Sequence, residues 1–565
     1  MDAKQLRITP PSRRRRRRLL TRLLPLVACA AVAFGLGIHA AGAAGRAQRH
    51  AVTVYLRAWQ RHDYATMYAM LSPGSRTRLA EAQFAARLRA AAATATLESL
   101  RPGRSFSIND GVARIPYVAH TEVFGTLHQQ LELPLLGSGS STTVEFRSSI
   151  LFPGMRGDER LSRTTVLGAR GTLLAADGQV LAEGPRRSSP IPAVAGQIVG
   201  SLGPIPSSER ARYEAQGYPA DAKIGVDGLE AIFQSSLAGR PGGQLLSGTR
   251  VLAAVAPRSG ATVRTTIVPR LESDVVAALG DTYSGMTVLD PHTGAVEAAV
   301  GLAFSVLQPP GSTFKIITSA AALADGYAKL NTVYPYESQV DLDGFMMQNS
   351  DMESCGGTLL EAFAQSCNTV YAPLGAKIGA AKLVAMAERF GFNQPSGNSA
   401  VATSTIPSAT TIGGPLSVGD SAIGQGLVQA TTLQMADVGA TIANGGERPI
   451  PTFAYGARPR LVRVISAQVA SEIQQMMIAV VNDGTGVTAQ LPGVQVAGKT
   501  GTAELTDTAN KANDKQATDA WFVGYAPASG VNAKLVACAL FPSDGFGEAS
   551  AAPAVRNILA AALGK

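Results

Sequence analysis

The sequence predicts a multidomain α+β protein behind an N-terminal transmembrane helix. Three observations carry this. The chain has 565 residues, enough for roughly three or four domains of ordinary size. A run of arginines leads into Leu23 to Ala44, a stretch without a formal charge. Past residue 50, helical periodicity yields to strand alternation near Glu98.

The N-terminal segment follows from charge and length. Apolar residues make up 46% and charged residues 16%, which excludes a disordered chain. The net charge of +9 would fit a nucleic-acid binder if it were spread over the body. It is not: residues 1–22 hold Lys4, Arg7, Arg13 to Arg18 and Arg22 against Asp2, leaving about +1 on the remainder. A nearly neutral body has no electrostatic footprint for DNA or RNA. The uncharged stretch is long enough to span a bilayer, and the arginines before it keep the N-terminus cytoplasmic, so the body is exported. A signal peptide cleaved near Ala40 to Ala44 is the alternative, and the length of the stretch favours an anchor. Four cysteines (Cys29, Cys355, Cys367, Cys538) are too few and scattered for a disulfide scaffold or zinc site. A Cys355–Cys367 bridge is open in an oxidising compartment, against a helix of several turns expected between them.

Val52, Tyr55, Leu56 and Trp59, then Tyr64, Met67, Tyr68 and Leu71, give two short amphipathic helices, with Asp63 as N-cap of the second. An Ala-rich helical stretch continues to about Glu98, followed by strand patterns at 105–110, 113–123, 126–136 and 142–152. Helices followed by an antiparallel sheet make a small α+β domain. Asp177-Gly178 joins two short apolar runs as a hairpin, and residues 224–243 read as a turn, one helix and a Gly-rich stop. A new domain starts near Thr265, where Met286 to Asp290 and Ala295 to Gly301 flank a second hairpin turn.

The six histidines end at His292, so a serine-histidine triad built from the chain beyond that point has no local base. Neither a G-x-S-x-G elbow nor an H-E-x-x-H helix occurs. Lysine is the informative residue: the chain has 39 arginines and 11 lysines, and such a sequence keeps lysine where a deprotonable amine is needed. In PPGSTFK, the prolines end one segment and an apolar helix follows. Ser312 then falls at a helix N-terminus, with Lys315 one turn on and on the same face. An amine beside a hydroxyl can take the proton of an attacking oxygen. The bland reading is a capping serine and a solvated lysine.

Gly493 to Thr500 matches the phosphate-binding pattern G-x-x-x-x-G-K-T, but Val494 and Val496 alternate as in a strand and not as an anion nest. As an edge strand, Lys499, Thr500, Gly501 and Thr502 offer an ammonium, hydroxyls and free backbone groups to a substrate carboxylate. Ser366 and Asn368 sit where a helical pattern breaks and resumes; alone, they read as helix caps.

Order and separation change this. Ser312-x-x-Lys315, then Ser366-x-Asn368, then Lys499-Thr500-Gly501 at these distances along the chain are the signature set of the penicillin-recognising serine enzymes. SAIGQG (421–426) and TLQMADVGATIANGG (432–446) are similar to that family as well. The N-terminal α+β part resembles the nuclear-transport-factor-like domain of methicillin-resistance-type penicillin-binding proteins, and residues 170–182 and 224–243 resemble the pedestal of the large members. From Ala51 onward the chain thus resembles a class B, monofunctional penicillin-binding protein, with no room for a glycosyltransferase domain before the pedestal. Two departures stand out: only a short link, VGLAFSVLQPPGS, joins the second hairpin to Ser312, and Thr431 precedes the TLQMA segment where the family more often has Thr-Pro.

The resemblance implies a basic tail (1–22), an anchor (23–44), the nuclear-transport-factor-like domain (46–165), a pedestal (166–264) and a transpeptidase domain (265–565) built as an antiparallel sheet between helices. WFVGYAP (521–527) and KLVACALF (534–541) would be sheet strands and 553–563 a covering helix. It implies Ser312 as nucleophile, Lys315 as base, Ser366 as proton relay and Asn368 as positioner. Lys499, Thr500, Gly501 and Thr502 would bind the substrate carboxylate, and backbone N–H groups of Ser312 and Thr502 the oxyanion. The expected partners are stem peptides ending in D-Ala-D-Ala, β-lactams and a membrane glycosyltransferase of the cell-shape or division type. Neither metal nor nucleotide is required, and no nucleic acid is bound. A carboxypeptidase or β-lactamase of the same superfamily is the hydrolytic alternative. A non-catalytic β-lactam sensor is the other, though it would typically have lost a motif.

Overall fold

A computed structural model describes residues 43–137, 141–395, 400–504 and 518–565. The expected tail and anchor lie outside the described residues, except that Ala43 begins a helix running to Gln60. Among the described residues no single helix is long and apolar enough to cross a membrane. The chain divides into two units. One comprises the described residues up to 169 with 204–223 and 238–260; the other comprises 170–203, 224–237 and 261–565.

In the first unit, helices Ala43–Gln60, Tyr64–Ala69, Pro73–Arg78 and Glu81–Thr94 pack on an antiparallel sheet. Asp63 caps the second helix, its Oδ1 accepting the Thr66 N–H at 3.0 Å, as its position predicts. Tyr55, Trp59, Phe84, Ile115, Leu131 and Leu133 fill the space between helices and sheet. The strands differ from expectation at both ends. Leu97–Pro102, expected to close a helix, is an extra strand paired with Val112–Thr121. Of 142–152 only Thr143–Val144 is strand: the Phe146 N–H is taken by Ser75 Oγ, and Ser148–Ile150 form a 3-10 turn. The unit also holds a small sheet of Leu161–Leu167, Pro241–Ser247 and Arg250–Val255.

The second unit opens on the Asp177-Gly178 hairpin, whose strands are Leu173–Leu174 and Val180–Ala182. The one helix expected after residue 224 is two, Gly228–Ile232 and Gln234–Leu237. Buried Glu230 accepts from both Arg170 (2.5 Å) and Arg187 (2.6 Å) there. The main sheet comprises β1 (Gly285–Leu289), β2 (Val296–Gly301), β3 (Ala497–Glu504), β4 (Thr518–Ala526) and β5 (Leu535–Phe541). It is antiparallel throughout, in the order β2-β1-β5-β4-β3. Alternation along the strands gives each face its own core. Met286, Val288, Ala520, Phe522, Ala537 and Ala539 point to one face, covered by α1 (Pro269–Leu279) and α8 (Ala551–Leu563). Trp521, Val523, Tyr525, Val536, Cys538 and Leu540 point to the other. That face carries α2 (Lys315–Ala324), α3 (Leu359–Ala364), α4 (Asn368–Ile378), α5 (Pro415–Ala422), α6 (Thr432–Ala443) and α7 (Ala467–Asp483).

This is a multidomain α+β architecture with an antiparallel sheet flanked by helices, as the sequence predicts. The strand expected from Val494 starts later, at Ala497, because the Val494 N–H closes a turn onto Leu491 O. Cys355 and Cys367 are joined in a disulfide: the helix between them, α3, has six residues and not several turns.

Candidate active site

Each motif lies where an element begins or ends. The Ser312 motif opens α2. Gly311–Phe314 form a 3-10 turn and Lys315 is the first α-helical residue, a tighter entry than the single α-helix the sequence predicts. The turn depends on Gly311, whose φ is +52° and whose Cβ, if present, would stand 2.6 Å from Thr502 O. The Gly311 N–H donates to Gly424 O at 3.0 Å, and a Cβ at Gly424 would lie 2.1 Å from Gly311 O. This explains the SAIGQG segment: its glycine lets the chain run directly beneath the nucleophile turn. Thr318 on α2 ties to it as well, donating to Ala422 O at 2.6 Å. The short link before Ser312 is pinned by reciprocal backbone hydrogen bonds between Gln308 and Ala430. Thr431 is the N-cap of α6, accepting from Gln434 N at 3.1 Å, so the helix starts without the proline.

Ser366 and Asn368 occupy the break between α3 and α4. Ser366 has φ +63°, a left-handed conformation that L-residues avoid and that here turns its hydroxyl and its carbonyl toward two lysines. Lys315 Nζ donates to Ser366 O (2.6 Å) and Asn368 Oδ1 (2.8 Å) and lies 3.4 Å from Ser366 Oγ. Asn368 Nδ2 donates in turn to Gln348 O at 3.0 Å. From β3, Lys499 Nζ donates to Ser366 Oγ (2.9 Å) and Thr500 O (3.0 Å). β3 is the edge strand among the described residues, and Lys499 and Thr500 lie inside it and not at the start of a helix as in a phosphate-binding loop. The serine hydroxyl therefore stands between two amines. Among the described residues no hydrogen bond joins Ser312 Oγ to Lys315, whose amine is engaged by the Ser366 turn.

Both lysines are fully buried. Desolvation, and then the nearby charge of Lys499, hold Lys315 well below the ordinary lysine value. Burial lowers Lys499 to about 7. Burial thus pushes both amines toward the neutral form. His292, the last histidine of the chain, contacts Asn444 Oδ1 and Ala533 O through its two ring nitrogens at the β1–β2 turn.

Sequence reasoning missed two groups. Thr485, after α7, shares a 2.5 Å hydrogen bond with Thr500 Oγ1, and its N–H donates to Ala364 O at 3.1 Å, so it braces β3 against the turn carrying Ser366. Phe363 and Tyr371, on α3 and α4, put their rings 5.5 Å from Lys499 Nζ and Lys315 Nζ respectively. Both aromatics look like ordinary core residues in a helical pattern, and nothing in the sequence separates them from the rest of the core.

The chain matches three protein families: a penicillin-binding protein transpeptidase domain over residues 285–560, a penicillin-binding protein dimerisation domain over 180–251, and an NTF2-like N-terminal transpeptidase domain over 47–159. It is similar to the peptidoglycan D,D-transpeptidase PbpA of Mycolicibacterium smegmatis, 36% identical over 303 residues, which are 48% of this chain and 58% of that protein. It is also similar to stage V sporulation protein D of Bacillus subtilis, 31% identical over 44% of this chain and 41% of that protein. These alignments span only about half the length of either relative. Among solved structures, the D,D-transpeptidase domain of a peptidoglycan glycosyltransferase from Eggerthella lenta has a TM-score of 0.57 at 27% identity, covering 71% of this chain and 99% of that one. A ceftriaxone acyl-enzyme complex of penicillin-binding protein A from M. tuberculosis has a TM-score of 0.53 at 26% identity, covering 70% and 98%.

Proposed function

Since the chain belongs to the penicillin-binding transpeptidases by these three domains together, we propose that it is a class B, serine-type peptidoglycan D,D-transpeptidase that is also acylated by β-lactams. One observation carries the reading: a single serine hydroxyl, Ser366 Oγ, lies within reach of two buried lysines that start from different elements, one of them a single turn after Ser312.

Ser312 Oγ attacks the carbonyl between the two terminal D-alanines of a stem peptide. Its proton passes to Lys315, whose amine burial pushes toward the neutral, proton-accepting form. The oxyanion is taken up by the backbone N–H groups of Ser312 and Thr502, on two segments that pass closely where Gly311 meets Thr502 O. As the C–N bond breaks, Ser366 relays a proton to the departing D-alanine amine, and Asn368 holds Lys315 in register. Lys499, Thr500 and Thr502 bind the terminal carboxylate, and Gly501 supports them by letting β3 lie against the Ser312 turn, where a Cβ would stand 2.8 Å from Pro310 O. The acyl group then leaves Ser312 for the amine of a second stem peptide, which closes a cross-link and regenerates the hydroxyl. A β-lactam follows the same first step and stalls as the acyl-enzyme. The nuclear-transport-factor-like and pedestal domains act as spacers above an N-in anchor at 23–44, next to a membrane glycosyltransferase that supplies uncross-linked strands.

The test is mass spectrometry of tryptic peptides after penicillin treatment. The adduct is expected on the Ser312 peptide and should be lost in Ser312→Ala, with circular dichroism unchanged. An adduct on Ser366, or none on the wild-type protein, would overturn the reading.

A further inference from the structure

We propose that Phe363 and Tyr371 are positioning residues forming an aromatic floor under the two active-site lysines, Phe363 beneath Lys499 and Tyr371 beneath Lys315, and that these ring faces set the pH window of acylation. The inference rests on the transpeptidase reading above and deepens it.

Two amines that both reach Ser366 Oγ, at 3.4 and 2.9 Å, repel one another whenever both are charged. Such a pair ordinarily has a carboxylate between its members. Among the described residues neither lysine has one. The ionisable groups on the elements around them are Asp519 and Tyr525 on β4, Glu361 on α3, exposed Lys377 on α4, Asp420 on α5, Glu472 and Asp483 on α7, where Glu472 accepts from Gln468, and Glu504 at the end of β3. Glu361, Asp483 and Glu504 are exposed, and Asp420 and Asp519 make no ion pair with either lysine. Tyr525 is buried and accepts a hydrogen bond from Gln474.

What the amines do have is ring faces. Lys315 Nζ lies over the Tyr371 ring and Lys499 Nζ over the Phe363 ring, each 5.5 Å from the centroid. The electron-rich face of an aromatic ring attracts an ammonium, and more strongly where water is absent. Both rings are fully buried. They also touch, with centroids 6.0 Å apart and planes tilted by 57°, so they form one surface. That surface is held from several sides. Tyr371 lies one turn after Asn368, and its hydroxyl is 2.9 Å from Ser319 Oγ on α2, one turn after Lys315. Phe363 lends its carbonyl to the Ser366 N–H at 3.1 Å.

The two rings act on opposite limbs of the profile. Acylation needs Lys315 neutral, which fixes the low-pH limb, and Lys499 charged for the carboxylate, which fixes the high-pH limb. A ring face favours the charged amine. Weakening the Phe363 face therefore moves the high-pH limb down, and weakening the Tyr371 face moves the low-pH limb down. A role limited to packing lowers the rate or the melting temperature and leaves both limbs in place.

The experiment uses the full chain in detergent with a fluorescent penicillin, following second-order acylation between pH 5 and 10. Phenylalanine at 363 is replaced by its mono-, di- and trifluorinated analogues, which keep its shape and weaken its ring face stepwise. The expected result is a stepwise fall of the high-pH limb, by about half a pH unit or more across the series, with the low-pH limb fixed. Tyr371→Leu should instead lower the low-pH limb, and Tyr371→Phe, which keeps the ring and loses the Ser319 contact, should leave both limbs in place. Coincident limbs across the fluorinated series, with melting temperature retained, would overturn the inference while leaving the transpeptidase reading intact. If the wild-type protein forms no adduct, that reading fails, and titration of the two lysine 13Cε resonances in the same variants still decides whether the rings hold the charge.

Discussion

Ser366 is the residue on which the two lysine motifs converge, and its role follows from a backbone angle more than from its side chain. With φ at +63°, it presents its carbonyl to Lys315 and its hydroxyl to Lys499, which a helical serine could not do for both. Two substitutions to arginine separate the lysines. Lys315→Arg puts a permanent charge in place of the proposed base, because guanidinium stays protonated, so penicillin acylation should fall by about 100-fold or more, the general-base contribution. Lys499→Arg keeps a donor for the carboxylate. Its loss should appear in the concentration dependence of acylation, on the order of 1–3 kcal/mol for a weakened charge-assisted contact. Stopped-flow acylation at several penicillin concentrations distinguishes the two, and equal loss of the limiting rate in both variants would contradict the division of roles. The residue types and spacings of this site were legible in the sequence, because catalysis needs particular functional groups in a set order. Thr485 was not: a threonine after a helix has no distinguishing mark until β3 folds against it.

At the scale of the elements, strands and helices with a strong period were readable, and those made by tertiary pairing were not. β1 and β2 fall where a turn signal puts them and β4 and β5 where the family resemblance puts them, whereas Leu97–Pro102 becomes a strand only because Val112–Thr121 offers it a ladder. α1 shows another effect that pattern reading cannot supply. Glu272, on its buried face, accepts from the Ala299 N–H at 2.8 Å through Oε2, while Oε1 has no partner. Burial pushes this carboxyl up to about 8 from an ordinary 4.5. The raised value means the folded protein prefers the protonated form. Its stabilising contribution is complete below about pH 4.5 and is lost as the pH rises to about 8. Glu272→Gln cannot ionise, so the variant should be more stable than wild type at pH 8, by about 1–3 kcal/mol, and no more stable at pH 5. Thermal melts at the two pH values read the difference, and a variant that melts in parallel with wild type would show that Glu272 does not ionise in this range.

Across the whole molecule, the division of charge is the feature with the largest consequence for placement. Nearly all the net positive charge precedes Leu23, so the charge that would orient the proposed anchor lies apart from the sheet that carries the candidate site. An N-in, C-out arrangement predicts that protease added to intact spheroplasts digests everything after about residue 45 and leaves a short, basic, membrane-embedded fragment. A catalytic domain that survives until the cells are lysed would place it on the cytoplasmic side.

Among the described residues β3 ends the sheet with one hydrogen-bonded neighbour, β4, so its other side has no strand partner. An unpaired side of that kind invites the strands of other chains, and exposed edges are where β-proteins begin to aggregate. This one cannot be blunted with a proline or buried under a helix without losing the peptide it is proposed to pair with. Its guards are weaker ones. Its glycines at 498 and 501 lower its tendency to extend a sheet, and it carries an exposed carboxylate at Glu504. The protein therefore has a shelf-life problem in the same place as its activity: conditions that empty the cleft also leave a sheet edge open, and an occupant of the cleft, a β-lactam included, would serve as a solubility aid during purification and storage.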